Sequence, residues 1–249
     1  MTSSREEGMG RELRFPAGPV TLEGNLAVPR DALGVVLFAH GSGSSRFSSR
    51  NRFVAEELQA TGLGTLLIDL LTPAEEEVDI RTRELRFDIP RLAERLVALV
   101  DHLRSGEETR ELRLGLFGSS TGAGAALIAA AERPDAVSAV VSRGGRPDLA
   151  GEHLARARAP TLLIVGGRDE VVIDLNRRAQ RVLGGPSKLH IVPGATHLFE
   201  EPGKLEEVAR LARDWFVNHL ATRAVPLDRH ADPRRHRGCR GRETGKDGP

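Results

Sequence analysis

The chain has 249 residues, 39% of them hydrophobic, and a length that suits one sizeable core in a single domain. Its 36 Lys and Arg nearly balance 35 Asp and Glu, so no field is set up that would draw the body of the protein onto nucleic acid. A lone cysteine, Cys239, excludes an intrachain disulfide framework, and neither a signal-peptide core nor an apolar run of membrane-spanning length is present; a cytoplasmic location away from membranes is expected.

Residues 1–11 read as a flexible start. Glu12 to Phe15 and Val20 to Val28 alternate on either side of Phe15-Pro16-Ala17-Gly18-Pro19, which predicts a hairpin. The apolar run Gly34 to Ala39 predicts a buried strand that empties into the small-residue loop His40-Gly41-Ser42-Gly43-Ser44-Ser45. A helix is expected over 48–61 and a buried strand over 64–69. The charged connection that follows, with Glu75-Glu76-Glu77 and Arg81 to Arg86, reads as a plain surface loop. From Arg91 to Leu103, apolar residues at 92, 93, 96, 97, 99, 100 and 103 form a helical stripe after Pro90.

Strands over 112–117, 137–142, 161–166 and 187–192 then alternate with helices, the last from Glu206 to His219, where Trp215 and Phe216 should pack as core. Buried strands alternating with amphipathic helices mean a mostly parallel sheet covered on both faces. Only about sixteen residues, Gly145 to Pro160, separate two late strands, which leaves room for one helix and no cap domain. An open, shallow site follows. From Arg223 to Pro249 eight basic residues face four acidic ones with almost nothing apolar, so a disordered basic tail is expected over 223–249.

The chemistry concentrates at strand ends, where such sheets carry their sites. Gly118-Ser119-Ser120-Thr121-Gly122 follows an apolar strand and opens an alanine-rich helix from about Thr121 to Ala131. That context reads as a strained strand-to-helix elbow with Ser120 at its apex, the flanking glycines leaving room for it. Gly124 removes bulk where the helix leaves the turn. Asp169, just past the strand 161–166, is placed to orient a base, and His197, in the loop after 187–192, is placed to be that base. The order Ser, Asp, His is the one this elbow uses. The backbone amides of Ser42 and Thr121 are the candidate oxyanion donors.

Other residues are weaker candidates. His40 is expected to orient the oxyanion loop, and Arg143 and Arg146 to meet a substrate carboxylate. Asp174 is the rival acid, although a helix N-cap role suits it better. His102, His190 and His219 read as structural.

Taken together, G-x-S-x-G around Ser120, G-x-x-D-x-x-V around Asp169 and G-x-x-H ending at His197 resemble the alpha/beta-hydrolase superfamily, and within it the dienelactone-hydrolase-like branch, over residues 12–221. The resemblance implies an eight-stranded alpha/beta-hydrolase fold with Ser120 as nucleophile, Asp169 as acid and His197 as base. The founding dienelactone hydrolases carry cysteine at the elbow, and this chain carries serine. His40 to Arg50 and Ser142 to Pro147 also look like bacterial hydrolases of this group that occur alone or fused to a phosphoribosyltransferase domain; no such second domain is expected in this sequence.

The activity implied is hydrolysis of small, soluble esters or lactones through an acyl-enzyme. With no H-E-x-x-H, no paired cysteines and no phosphate or dinucleotide fingerprint, no metal and no organic cofactor is expected. The expected partner is a small-molecule ester or lactone, with no nucleic acid and no membrane, in a monomer or homodimer. Thioester or peptide cleavage, acyl transfer to an alcohol, and a non-catalytic binding module on the same fold stay open.

Overall fold

The computed structural model describes residues 10–221. The expected basic tail at 223–249 and all but the end of the expected flexible start lie outside them. The elements run, in chain order, β1 (Arg11–Ala17), β2 (Val20–Ala27), β3 (Val35–Ala39), α1 (Ser49–Gln59), β4 (Gly64–Ile68), α2 (Pro73–Thr82), α3 (Ile89–Ser105), β5 (Leu114–Ser119), α4 (Thr121–Glu132), β6 (Val137–Arg143), β7 (Thr161–Gly166), α5 (Glu170–Val182), β8 (Ser187–Val192) and α6 (Lys204–Leu220). Short 3-10 turns lie at Leu85–Phe87 and Pro147–Ala155.

One eight-stranded sheet has the order β1-β2-β4-β3-β5-β6-β7-β8. The β1/β2 hairpin is antiparallel, β2 is antiparallel to β4, and every pairing from β4 through β8 is parallel. Parallel strands need crossovers, and the helices between them supply these while covering both faces.

The strand period of two divides the core. On β3, Val35, Leu37 and Ala39 face one apolar cluster, while Val36 and Phe38 face another. The first cluster packs under α3 and α4 and the second under α1 and α6, so a fully apolar strand serves both sides. Gly115 keeps its face bare for the Phe216 ring, which a Cβ there would meet at 2.6 Å. Phe216 is fully buried in α6, whereas Trp215 is partly buried and donates its indole N–H to the Pro160 carbonyl at 3.4 Å.

The segment read as a loop around Glu75 to Arg86 is helix α2 followed by a 3-10 turn. Its first turn is closed by a capping box: the Thr72 hydroxyl accepts from the Glu75 amide and the Glu75 carboxylate accepts from the Thr72 amide, with Pro73 at the first helical position. Asp79, 1% exposed, anchors the helix by taking two hydrogen bonds from Arg86. Burial disfavours the Asp79 charge, but the hydrogen bonds and charge of Arg86 outweigh it and hold its pKa below the usual range. Between β6 and β7 the 3-10 turn breaks at Gly151 (φ 52°) and adds no cap domain.

Candidate active site

Ser120 sits between β5 and α4 with φ 49° and ψ −121°, a left-handed conformation that a serine adopts only when its surroundings impose it. Three backbone hydrogen bonds impose it here. The Ser120 N–H donates to the Arg143 carbonyl (3.2 Å), and its own carbonyl accepts from Ala123 (3.1 Å) and Arg146 (3.0 Å). The flanking glycines are steric necessities: a Cβ on Gly118 would run into the Ala123 backbone, and one on Gly122 into the Ala39 and His40 carbonyls. Gly124 leaves room for Leu149 and the Arg146 carbonyl in the turn after β6, rather than for a strand.

Asp169 and His197 come from adjacent strands whose exit loops are joined by backbone hydrogen bonds. Gly167 N–H donates to Val192 O (2.8 Å) and Arg168 N–H to Ala195 O (2.9 Å), which ties the two loops together. The His197 loop is further fixed by Phe199, which has φ 57° yet is almost completely buried, and by the Glu201 carboxylate accepting from the Thr196 amide. The result is a hydrogen bond of 2.6 Å between His197 Nδ1 and Asp169 Oδ2. With an ionised carboxylate as acceptor, Nδ1 carries the proton and Nε2 is left with a free lone pair. The imidazole, 39% exposed, packs over Gly144, where a Cβ would lie 3.5 Å from Nδ1. Gly144 directly follows Arg143, the acceptor for Ser120 N–H, so the ring stands beside the serine turn. Among the described residues no hydrogen bond joins Ser120 Oγ to His197.

An alpha/beta hydrolase domain matches residues 32–216. The chain belongs to the alpha/beta hydrolase family. A dienelactone hydrolase from Anabaena variabilis is 58% identical in sequence and superimposes with a TM-score of 0.83, the match covering 85% of this chain and 99% of that one. Est1E from Butyrivibrio proteoclasticus shares the fold (TM-score 0.71, 15% identity, 85% of this chain and 99% of that one). Two Mycobacterium tuberculosis proteins, from strains CDC 1551 and H37Rv, are 59% identical over 209 residues, 84% of this chain, and their names suggest phosphoribosyl transferases. The chain spans about half (46%) of the length of these curated relatives.

Around the elbow, the loop after β3 is held from below. His40 Nε2 accepts from the Leu70 amide (3.1 Å), which puts the proton on Nδ1, where it is donated to Gly41 O (2.9 Å). Burial lowers the His40 pKa, so the ring is a neutral spacer between β4 and the loop. Arg46, 7% exposed, closes the far end: its guanidinium pairs with Glu12, Glu23 and Asp69, and its amide donates to Asp69. A Cβ on Gly41 would sit 3.0 Å from Ser120 Cβ, so the loop runs directly against the serine.

The two amides read as oxyanion donors are in different states. Thr121 N–H, at the first position of α4, has no intrahelical acceptor. Ser42 N–H already donates to Thr121 Oγ1 at 2.9 Å.

The arginines separate as well. Arg146 donates from Nε and Nη2 to the two oxygens of the Asp148 carboxylate, which raises its pKa. Arg143, 7% exposed, has no carboxylate partner among the described residues. Asp174 lies inside α5, exposed, with only a 3.5 Å contact to Arg177, while Asp169 occupies the N-cap position expected for Asp174 and turns its carboxylate to His197. His102 stacks edge-on against Phe15, and His190 contacts Glu207, both away from Ser120. No group of His, Cys, Asp and Glu side chains among the described residues could hold a metal ion, and no helix there is long and apolar enough to cross a membrane.

Proposed function

We propose that this protein is a serine hydrolase that cleaves small carboxylic esters or lactones through an acyl-enzyme. The observation that carries the reading is the 2.6 Å hydrogen bond between Asp169 and His197 beside a serine in the left-handed region. The 58% identity to a dienelactone hydrolase supports the ester and lactone class.

His197 Nε2 takes the Ser120 proton as Oγ attacks the carbonyl, the hydrogen bond from Ser120 to His197 forming only once substrate has closed the geometry. Asp169 holds the Nδ1–H tautomer and stabilises the imidazolium. Thr121 N–H meets the oxyanion directly, whereas Ser42 N–H becomes available when the Thr121 hydroxyl rotates away. His197 then protonates the leaving alcohol and activates water, which attacks the acyl-enzyme and releases the acid and free Ser120. None of these steps calls for a metal or organic cofactor, and the polypeptide works in the cytoplasm as a monomer or homodimer.

The test is a panel of acetate esters, small lactones, the matching thioesters and a phosphoribosyl acceptor assayed with 5-phosphoribosyl diphosphate. Ester or lactone turnover that Ser120→Ala removes supports the reading. Phosphoribosyl transfer untouched by that substitution, with no hydrolysis of any acyl substrate, contradicts it.

A further inference from the structure

The turn after β6 grips the serine at both of its ends. The Arg143 carbonyl accepts from Ser120 N–H (3.2 Å), and Arg146 N–H donates to Ser120 O (3.0 Å). Between them Gly144 lies under the His197 ring, its N–H donating to Ile164 O (2.8 Å), and Gly145 follows. Two successive glycines give a backbone its widest choice of conformations, so a turn centred on them keeps one shape only when something outside holds it.

Asn176 supplies that hold. It is completely buried in α5, and its Nδ2 donates to the Gly145 carbonyl at 2.9 Å and to the Val172 carbonyl, one helical turn back, at 2.8 Å. Facing two carbonyls fixes the orientation of the amide, because only its NH₂ end can donate to both. Oδ1 is thereby left buried, with no partner among the described residues. An interior acceptor without a donor is destabilising, and an apolar side chain would avoid it, so packing does not account for an asparagine here. Nor does the Val172 bond, since that carbonyl belongs to the hydrogen-bond ladder of α5. What only the amide provides is the tie to Gly145. Its position along the helix gives the tie a purpose: Asp169 is the N-cap of α5 and Asn176 stands two turns later, on the same side. One helix thus holds the His197 ring through Asp169 (2.6 Å) and the turn that grips Ser120 through Asn176.

We infer that Asn176 is a positioning residue that acts through the Gly145 carbonyl to set Ser120 Oγ against His197 Nε2. The inference rests on the serine-hydrolase reading and adds to it a residue outside the triad. Without the tie the turn relaxes, Ser120 loses its fixed place relative to the imidazole, and proton transfer, which is sensitive to displacements of an ångström or less, slows while the room for substrate stays the same.

The experiment compares the parent with Asn176→Leu, which keeps the branched shape and removes the donor, and with Asn176→Ser, whose shorter side chain cannot reach Gly145 and adds no bulk. Three quantities are read: kcat and KM on p-nitrophenyl acetate, the rate of fluorophosphonate labelling, and hydrogen exchange at the Ser120 and Arg146 amides. In a folded variant kcat and the labelling rate should fall by about tenfold or more with KM within about threefold, and both amides should exchange at least about tenfold faster. Val137→Ala, a buried truncation at the opposite end of β6, serves as the comparison for destabilisation alone and should leave kcat and both amides as in the parent. A folded Asn176 variant with kcat within about twofold of the parent overturns the inference and leaves ester hydrolysis standing. So does a kcat loss that Val137→Ala reproduces, or a failure of both Asn176 variants to fold, since either makes the residue merely structural. If the parent is neither labelled nor active on any ester, the hydrolase reading falls, and the exchange rates alone decide whether Asn176 holds the turn.

Discussion

Replacing Asp169 with Asn removes one charge and keeps the shape of the side chain, so its cost can be worked out from the geometry. In the transition state His197 becomes a cation whose Nδ1 lies 2.6 Å from Asp169 Oδ2. Charge centres about 4 Å apart interact by about 4 kcal/mol at an effective dielectric near 20. The Asp169 side chain is 16% exposed and the imidazole 39%, so solvent reduces this to about 3 kcal/mol. At 1.36 kcal/mol per decade that is about a hundredfold in kcat. The amide adds a second penalty. Turned so that its NH₂ faces the ring, Asn donates to Nδ1 and moves the imidazole proton to Nε2, where it blocks acceptance of the serine proton. The expected loss for Asp169→Asn is thus between about two and four orders of magnitude in kcat, read on a chromogenic acetate ester under saturating substrate. Asp174→Asn, altering an exposed carboxylate with a single 3.5 Å contact, should stay within about twofold. A loss under about tenfold for Asp169→Asn, or a larger loss for Asp174→Asn, would refute the assignment of the orienting carboxylate.

Other consequences concern the frame of the site. Gly122→Ala pushes a methyl group into the Ala39 and His40 carbonyls and should destabilise the fold by about 2 kcal/mol or displace the elbow, seen as a lowered urea midpoint together with lost esterase activity. Wild-type stability and turnover in that variant would mean the turn is looser than described. Glu75 tests helix α2: burial disfavours its charge, yet the hydrogen bonds from Arg95 and Thr72 prevail and pull its pKa from 4.5 to about 2. Because the folded value is the lower one, the charge stabilises the protein above about pH 4.5 and ceases to do so as the pH falls toward 2. Glu75→Gln should therefore cost about 2 kcal/mol at pH 7, and the difference from the parent should shrink to nothing near pH 2, as measured by denaturant titration at several pH values.

Much of this arrangement could be read from residue order because apolar runs and glycines reported local physics that the fold keeps. The strand at 161–166 is a continuous apolar and β-branched stretch, those at 137–143 and 187–192 are rich in such residues between breakers, and the elbow is marked by Gly118 and Gly122 because no Cβ fits there. Helix α2 escaped because its apolar positions are few and its buried residue is the polar Asp79, so hydrophobic periodicity gave no signal. Its start was nevertheless written in Thr72-Pro73-Ala74-Glu75, a capping box with proline at the first position. The placement of Asp174 at a helix start failed by one turn, because the helix begins as soon as Asp169 has directed its carboxylate away. What no pattern of residues conveyed was partnership across the chain: that Arg146 is satisfied by Asp148 while Arg143 is buried without a counter-charge among the described residues, and that the Ser42 amide already has an acceptor in Thr121. Those depend on where side chains meet after folding.

The central claim is that Ser120 is an activated nucleophile served by His197 and Asp169. It is tested most directly by treating the purified protein with a fluorophosphonate probe and mapping the adduct by mass spectrometry. The predicted result is a single stoichiometric adduct on Ser120, abolished in Ser120→Ala and slowed by about two orders of magnitude or more in His197→Ala. An unlabelled Ser120 in folded protein, or labelling equally fast without the imidazole, would contradict it.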